Sequence, residues 1–202
     1  DPWLYSALEL PTLLSEVIML SYRHAFHAGN PADVLKHMVL VQVLTYMCKK
    51  DKGFDYIDTH SGSGEYRLNT AEAQKTGEFK QGIGQIWSMT AKTGLLSDYL
   101  AVIKNANTGP NLVTYPGSPS IAMQFLRPQD KGWFFELHPR DADNLESLLG
   151  RKKSLRSRRE DGLKGLPGLL PPVSRRACVM IDPSYEIKTD YQQVVDSIIE
   201  SY

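Results

Sequence analysis

The chain of 202 residues is short of three things, and each shortage excludes a class of protein. It has two cysteines, Cys48 and Cys178, far apart and each within an apolar pattern; this fits reduced, buried thiols in a cytoplasmic protein and neither a disulfide framework nor a zinc knuckle. It has no apolar run of the about 18 residues that a membrane span needs, so no membrane partner is expected. It has no excess of charge, since 23 basic residues face 23 acidic ones, and net charge therefore announces no nucleic-acid partner. Residues 1–18 hold three of the acids, Asp1, Glu9 and Glu16, and no Lys or Arg, the wrong charge for the start of a secretory signal. They read as an appendage before a natural start at Met19, without which 23 basic residues face 20 acidic ones.

What is present is enough apolar sequence for one domain with a full core. Ala177 to Ile181 is a continuous run of small, sulfur-containing and branched residues, the pattern of a strand covered by helices on both faces. Pro183 follows, removing a backbone donor and pushing Asp182 out of the helical region. The strand therefore ends with a carboxylate at the sheet's carboxyl edge, where open α/β sheets bind ligands. Asp182, the Pro183 carbonyl and the flat ring of Tyr185 could together grip a planar heterocycle that carries an exocyclic amine.

The rest of the chain repeats that pattern. Phe54 to Asp58 and Gly132 to Glu136 read as strands ending in carboxylates, and Ser154 to Glu160, poorer in composition, as a third strand ending near Asp161-Gly162. Thr59-His60-Ser61-Gly62-Ser63-Gly64 has two glycines one residue apart, which lets backbone turn tightly against a ligand, but it lacks the third glycine of a dinucleotide fingerprint. Helices are expected over Ala32 to Lys50, Arg140 to Leu149 and Asp190 to Tyr202. On the first of these, Val34, Leu35, Met38, Val39, Val41, Gln42 and Leu44 are read as a broad apolar face; His37 suits either a core histidine or a ligand contact. Glu65 to Asn111 shows no strand, only short helices at Gly82 to Trp87 and Leu95 to Asn105, and reads as a small helical insertion, about residues 65–111, over the glycine loop. Tyr115-Pro116-Gly117-Ser118-Pro119 reads as a turn into a helix through Leu126, with Ser118 as its cap. Arg151, Lys152, Lys153, Arg156, Arg158 and Arg159 crowd within nine residues, either a solvated loop or a phosphate contact.

Four acids thus stand at the carboxyl edge of one parallel sheet. Glu136 can accept from the two hydroxyls of a ribose, Asp161 from an adenine amine, and the Gly162 N–H can donate to the ring, which together describe an adenosine pocket.

Asp182-Pro183-Ser184-Tyr185 resembles the Asp/Asn-Pro-Pro-Tyr/Phe motif of amino-methyltransferases, with Ser184 in place of the second proline. Further stretches, among them Met19 to His24, Phe26 to Asn30, Ala32 to His37, Asp58-Thr59-His60, Tyr115 to Pro119, Glu136 to Pro139 and Pro171 to Arg176, resemble bacterial 23S ribosomal RNA adenine-N6 methyltransferases in one order from Met19 to Tyr202. The resemblance implies a Rossmann-like class I α/β methyltransferase sheet with helices on both faces, over residues 19–202. It implies S-adenosylmethionine as cofactor, bound by His37, His60, Gly62, Ser118, Glu136, Asp161, Gly162 and Asp182. It implies Asp182, Pro183 and Tyr185 as the catalytic turn, and Tyr22 and Tyr185 against the substrate, 23S ribosomal RNA. No metal is expected, and the molecule is expected to be a monomer. Such sheets carry further strands after the fourth, so the C-terminal strands read as missing and the chain as a fragment or one with an exposed edge. Three other readings stay open: a metal site built from His24, His27, His37, His60 and His138, another nucleotide-dependent enzyme on the same fold, and a non-catalytic RNA-binding remnant.

Overall fold

In the computed structural model, which describes residues 23–202, the core is the parallel α/β sheet expected, of Rossmann-like type. Four parallel strands, β1 (Asp55–Asp58), β4 (Lys131–Phe135), β5 (Leu155–Arg158) and β6 (Ala177–Met180), lie in the order β5-β4-β1-β6. In β1, in register with β4 and β6, every residue is buried, as befits the centre of a sheet covered on both faces. Alternate residues then face opposite layers. Tyr56, Phe134, Leu155, Cys178 and Met180 join one large cluster, while Ile57, Trp133, Phe135, Val179 and Ile181 join a second, smaller one.

The large cluster is closed by α1 (Pro31–Cys48), α4 (Leu95–Asn105), α5 (Ser118–Met123) and α6 (Pro139–Leu149). Asn30 starts α1 by accepting a hydrogen bond from the Asp33 N–H at 2.9 Å, with Pro31 in the first turn. The broad apolar face expected on this helix divides in two: Leu40, Val41 and Leu44 are buried, whereas Leu35 and Val39 stand 67% and 56% exposed. The core-facing stripe near the cleft is instead polar, carrying Asp33 and His37. The second layer holds α7 (Gly162–Gly165) and α8 (Thr189–Glu200), the latter anchored where the Ser197 hydroxyl donates to the Leu163 carbonyl at 2.7 Å.

Residues 65–111 differ from the expectation in holding a strand and a further helix, Ala71–Thr76. Glu65–Arg67 forms a strand, β2, paired antiparallel with β3 (Thr114–Pro116), so the apparent turn at Tyr115-Pro116 is also a strand. Each is three residues long, too short for alternation to show in sequence, and α2 (Ala71–Thr76), α3 (Ile83–Ile86) and α4 lie between them. Ser118 is likewise not the cap of α5; Gly117 occupies that position and Ser118 is already helical. Cys48 and Cys178 are free thiols, half-buried rather than fully buried.

At the amino ends of the strands a polar knot joins two of them. Asp130, 1% exposed, accepts from the Phe54 N–H at 3.0 Å and from the Arg127 Nε at 2.8 Å, and Arg127 also donates to the carbonyls of Cys48 and Lys50. It fixes β1 against β4 at the end remote from the cleft described next.

Candidate active site

The carboxyl ends of β1, β4 and β6 open into a cleft of about 410 Å³. His37, His60, Gly62, Ser118, Glu136, Asp161, Gly162, Asp182, Pro183 and Tyr185 all line it. Tyr22, like residues 1–18 and the start at Met19, lies outside the described residues.

The floor is the loop after β1. Gly62 takes φ +59, and a Cβ there would meet the Tyr66 hydroxyl at 2.0 Å, so both the turn and the close approach require glycine. Its N–H donates to Glu136 Oε2 at 2.7 Å, and the His138 N–H donates to Oε1, also at 2.7 Å. Glu136 therefore joins two loops while each oxygen keeps a lone pair for a further donor; burial pushes its pKa up and those two amides oppose the shift. Asp58 beneath is fully buried, with its pKa raised by burial to about 6 although the Tyr56 hydroxyl donates to it at 3.0 Å. Asp161 caps α7, accepting from the Leu163 N–H at 3.0 Å, which leaves Gly162 packed against Thr59.

Two histidines face the cleft in neutral form. Burial drives the His37 pKa down to about 3 and that of His60 to about 4. His37 Nδ1 pairs with the Tyr115 hydroxyl at 2.8 Å, and its Nε2 is buried with no hydrogen-bond partner among the described residues. An orphaned buried polar atom of this kind fits a ligand that supplies its partner.

The reading of the sequence missed a chain of charges that ends on Asp182. Lys36 Nζ lies 2.5 Å from Asp182 Oδ2 and 2.7 Å from Asp33 Oδ1, while Asp33 Oδ2 pairs with His24 Nε2 at 2.8 Å and with the Gly29 N–H at 2.9 Å. Burial alone would lower the Lys36 pKa, but the two carboxylates outweigh it and hold the ammonium above its ordinary range. The spacing of Asp33 and Lys36, three residues apart on one helix, was a legible signal for their pairing. Nothing local could announce Asp182, 146 residues away.

The cluster of basic residues divides. Arg158 lies over the Trp133 ring at 5.1 Å and pairs with Glu160, and Arg159 pairs with Asp143. Arg151, Lys152, Lys153 and Arg156 are exposed and form no ion pair among the described residues. Among those residues, too, no group of three or more His, Cys, Asp or Glu side chains could hold a metal ion, and no helix is long and apolar enough to cross a membrane.

Comparison with known proteins decides the family, because residues 51–202 match the family model described as ribosomal RNA large subunit methyltransferase D, RlmJ. The chain belongs to the RlmJ family. Two curated members, both named ribosomal RNA large subunit methyltransferase J, are 48% identical over 184 residues (Escherichia coli K12) and 47% identical over 185 residues (Haemophilus influenzae Rd). In each case 91% of this chain is covered, and the chain spans 66% of the relative's length. A Legionella pneumophila protein solved by crystallography is 39% identical with a TM-score of 0.79, covering 87% of this chain and 65% of that one. These RlmJ matches support the sequence resemblance drawn from the Asp182 turn and its companion motifs.

Proposed function

We propose that the protein containing this chain transfers a methyl group from S-adenosylmethionine to the N6 amine of an adenine in 23S ribosomal RNA, in the cytoplasm. The observation that carries this reading is the end of β6, where Asp182, Pro183 and Tyr185 stand together on the wall of the cleft. The curated RlmJ relatives, named as ribosomal RNA methyltransferases, support it from outside.

S-adenosylmethionine, when bound, supplies an electrophilic methyl group. Glu136 would accept from its ribose hydroxyls with the lone pairs left by Gly62 and His138, and Asp161 and Gly162 would meet its adenine. With the Tyr115 hydroxyl donating to Nδ1, neutral His37 would turn its Nε2–H into the cleft, the polarity that a carboxylate takes. His60, Gly62 and Ser118 complete that wall.

The target amine is a poor nucleophile because its lone pair is spread into the purine ring. Asp182 Oδ2 is engaged by Lys36, which would leave Oδ1 for an incoming amine. Hydrogen bonds to Oδ1 and to the Pro183 carbonyl would turn the lone pair out of conjugation and aim it at the methyl group, and Asp182 then takes the proton that the nitrogen sheds. Tyr185 would stack on the base, which must be unpaired or flipped. Ser184 keeps its backbone carbonyl and loses only a proline's rigidity.

In the intact protein, Asp182→Ala should abolish incorporation of tritiated methyl into unmodified 23S RNA and leave RNA binding in place, while Ser184→Pro should equal or exceed the natural activity. Incorporation that survives Asp182→Ala removes the catalytic assignment. A protein that binds RNA yet incorporates nothing, with or without Ser184→Pro, is the non-catalytic remnant instead.

A further inference from the structure

His37 Nε2 is a buried nitrogen without a partner among the described residues, and what it offers a ligand depends on which ring nitrogen carries the proton. The groups behind the ring set that choice. His37 Nδ1 lies 2.8 Å from the hydroxyl of Tyr115, on β3, and that hydroxyl lies 3.1 Å from the hydroxyl of Tyr99, on α4. The His37 and Tyr115 rings stack with centroids 5.6 Å apart. A line of three polar groups thus runs from the helical insertion to a ring that lines the cleft, and both tyrosines are completely buried.

The number of protons decides the direction of this line. Burial keeps both phenols protonated and the imidazole neutral, so two O–H groups and one N–H serve two hydrogen bonds, and one proton is left over. If His37 donated from Nδ1, the leftover proton would belong to one of the tyrosines. Among the described residues the Tyr99 hydroxyl has no partner but Tyr115, and Tyr115 none but Tyr99 and His37, so that proton would be buried unpaired. In the opposite direction Tyr99 donates to Tyr115 and Tyr115 donates to His37 Nδ1. The leftover proton is then the one at Nε2, where a ligand can take it.

We propose that Tyr115, backed by Tyr99, is a positioning residue for cofactor recognition: it fixes His37 as the Nε2–H tautomer, so that the cleft wall presents a donor and selects a ligand whose amino-acid end carries a carboxylate. The proposal rests on the reading of the cleft as an S-adenosylmethionine pocket. In that pocket the acids serve the donors of the nucleoside, Glu136 the ribose hydroxyls and Asp161 the adenine amine. The carboxylate, which only accepts, is left for a donor. A lone pair at Nε2 would repel it, and an N–H holds it. The insertion thereby gains a task at the cofactor site, because α4 supplies the first proton of the line.

Nitrogen NMR of the intact, ligand-free protein, with the His37 signals assigned by their loss in His37→Gln, should show the proton at Nε2 and a bare Nδ1. A proton at Nδ1 would overturn the proposal. Tyr115→Phe keeps the ring and removes the hydroxyl; it should give a mixture of tautomers and weaken S-adenosylmethionine binding, read by calorimetry, about 10-fold, the loss of a hydrogen bond to a charged group. Decarboxylated S-adenosylmethionine, which lacks only the carboxylate, should bind the natural protein and Tyr115→Phe within about twofold of each other. Equal losses for the two ligands would make Tyr115 a packing residue and overturn the proposal, as would full affinity in Tyr115→Phe. Tyr99→Phe, which removes only the outer donor, should keep the Nε2–H tautomer and cost about threefold in S-adenosylmethionine affinity. A switch to Nδ1–H in that variant would also overturn the proposal. If the natural protein binds neither ligand, the proposed function falls, and the tautomer of His37 in the natural protein and in Tyr115→Phe then decides whether the tyrosines set it.

Discussion

The two faces of the central sheet differ in how completely they are covered. On one, Tyr56 and Phe134 lie beneath α1, α4, α5 and α6 in a cluster that also buries Leu44, Tyr99 and Tyr115 completely. On the other, Ile57, Phe135 and Leu166 are buried, while Trp133, Leu169, Val179 and Ile181 are only partly so, and the α8 residues Tyr191 and Ile199 stand 62% and 69% exposed. The site draws on the two faces unequally. His37, Asp58 and Ser118 come from the closed face, whereas Asp182 to Tyr185 and Asp190 come from the end of β6 and the helix after it, on the thinner face. Under the proposed function, a cofactor pocket has to be ready before its ligand arrives, and a turn that admits an RNA base has to give a little. Dense packing serves the first and sparse packing the second.

The contrast is sharpest in a matched pair of truncations. Leu44→Ala, in the closed face, should cost about 3–5 kcal/mol in urea unfolding, since it removes a completely buried side chain and leaves a cavity. Leu169→Ala, in the thinner face, should cost about 1 kcal/mol, because part of that side chain is already in water. Equal costs would erase the distinction between the faces.

Between those two effects lies a pH dependence that belongs to the closed face. The folded-state pKa of His37 is depressed to about 3 from an ordinary 6.5, so the unfolded chain takes up a proton first as pH falls. The stability from keeping His37 neutral is therefore complete above pH 6.5 and is lost on acidification towards pH 3. Asp58, raised to about 6 from 3.8, runs the other way, regaining stability as pH falls through the same range. His37→Gln should consequently lose about 2 kcal/mol less than the natural chain between pH 8 and pH 5. An identical pH profile for both proteins would mean that His37 is not kept neutral. The smallest effect on folding is expected at the surface, where Lys152→Glu with Lys153→Glu should move stability by less than about 0.5 kcal/mol. The same pair should flatten the salt dependence of RNA binding if these exposed lysines touch phosphate, and an unchanged slope returns them to solvent.

How much of this was legible in the sequence depended on the range of the interactions involved. The three strands with continuous apolar character were readable because burial on both faces writes itself into consecutive residues, and the acids that follow them mark the carboxyl edge directly. The antiparallel pair of β2 and β3 was not, since three residues carry no period and the partner is supplied from beyond α4. On α1 a single apolar face was expected, but an exposed stripe with Leu35 and Val39 adjoins the buried one, and periodicity cannot tell which stripe meets the core. Within the cleft, the residues carried by the motif turn face a common space. Lys36, Asp33 and Asp190 escaped notice because a charged residue in a helix's first turns looks solvated until the fold brings something to cover it.

The knot of Arg127 and Asp130 has a practical meaning for anyone surveying variants in living cells. Severing it strands a buried carboxylate and unties three carbonyls at and just beyond the end of α1, which lowers the amount of folded protein without touching the cleft. Under the proposed function, such variants would lower methyl incorporation as Asp182→Ala is expected to. Only an immunoblot of soluble protein, set beside the phenotype, would tell a missing protein from one altered at the cleft.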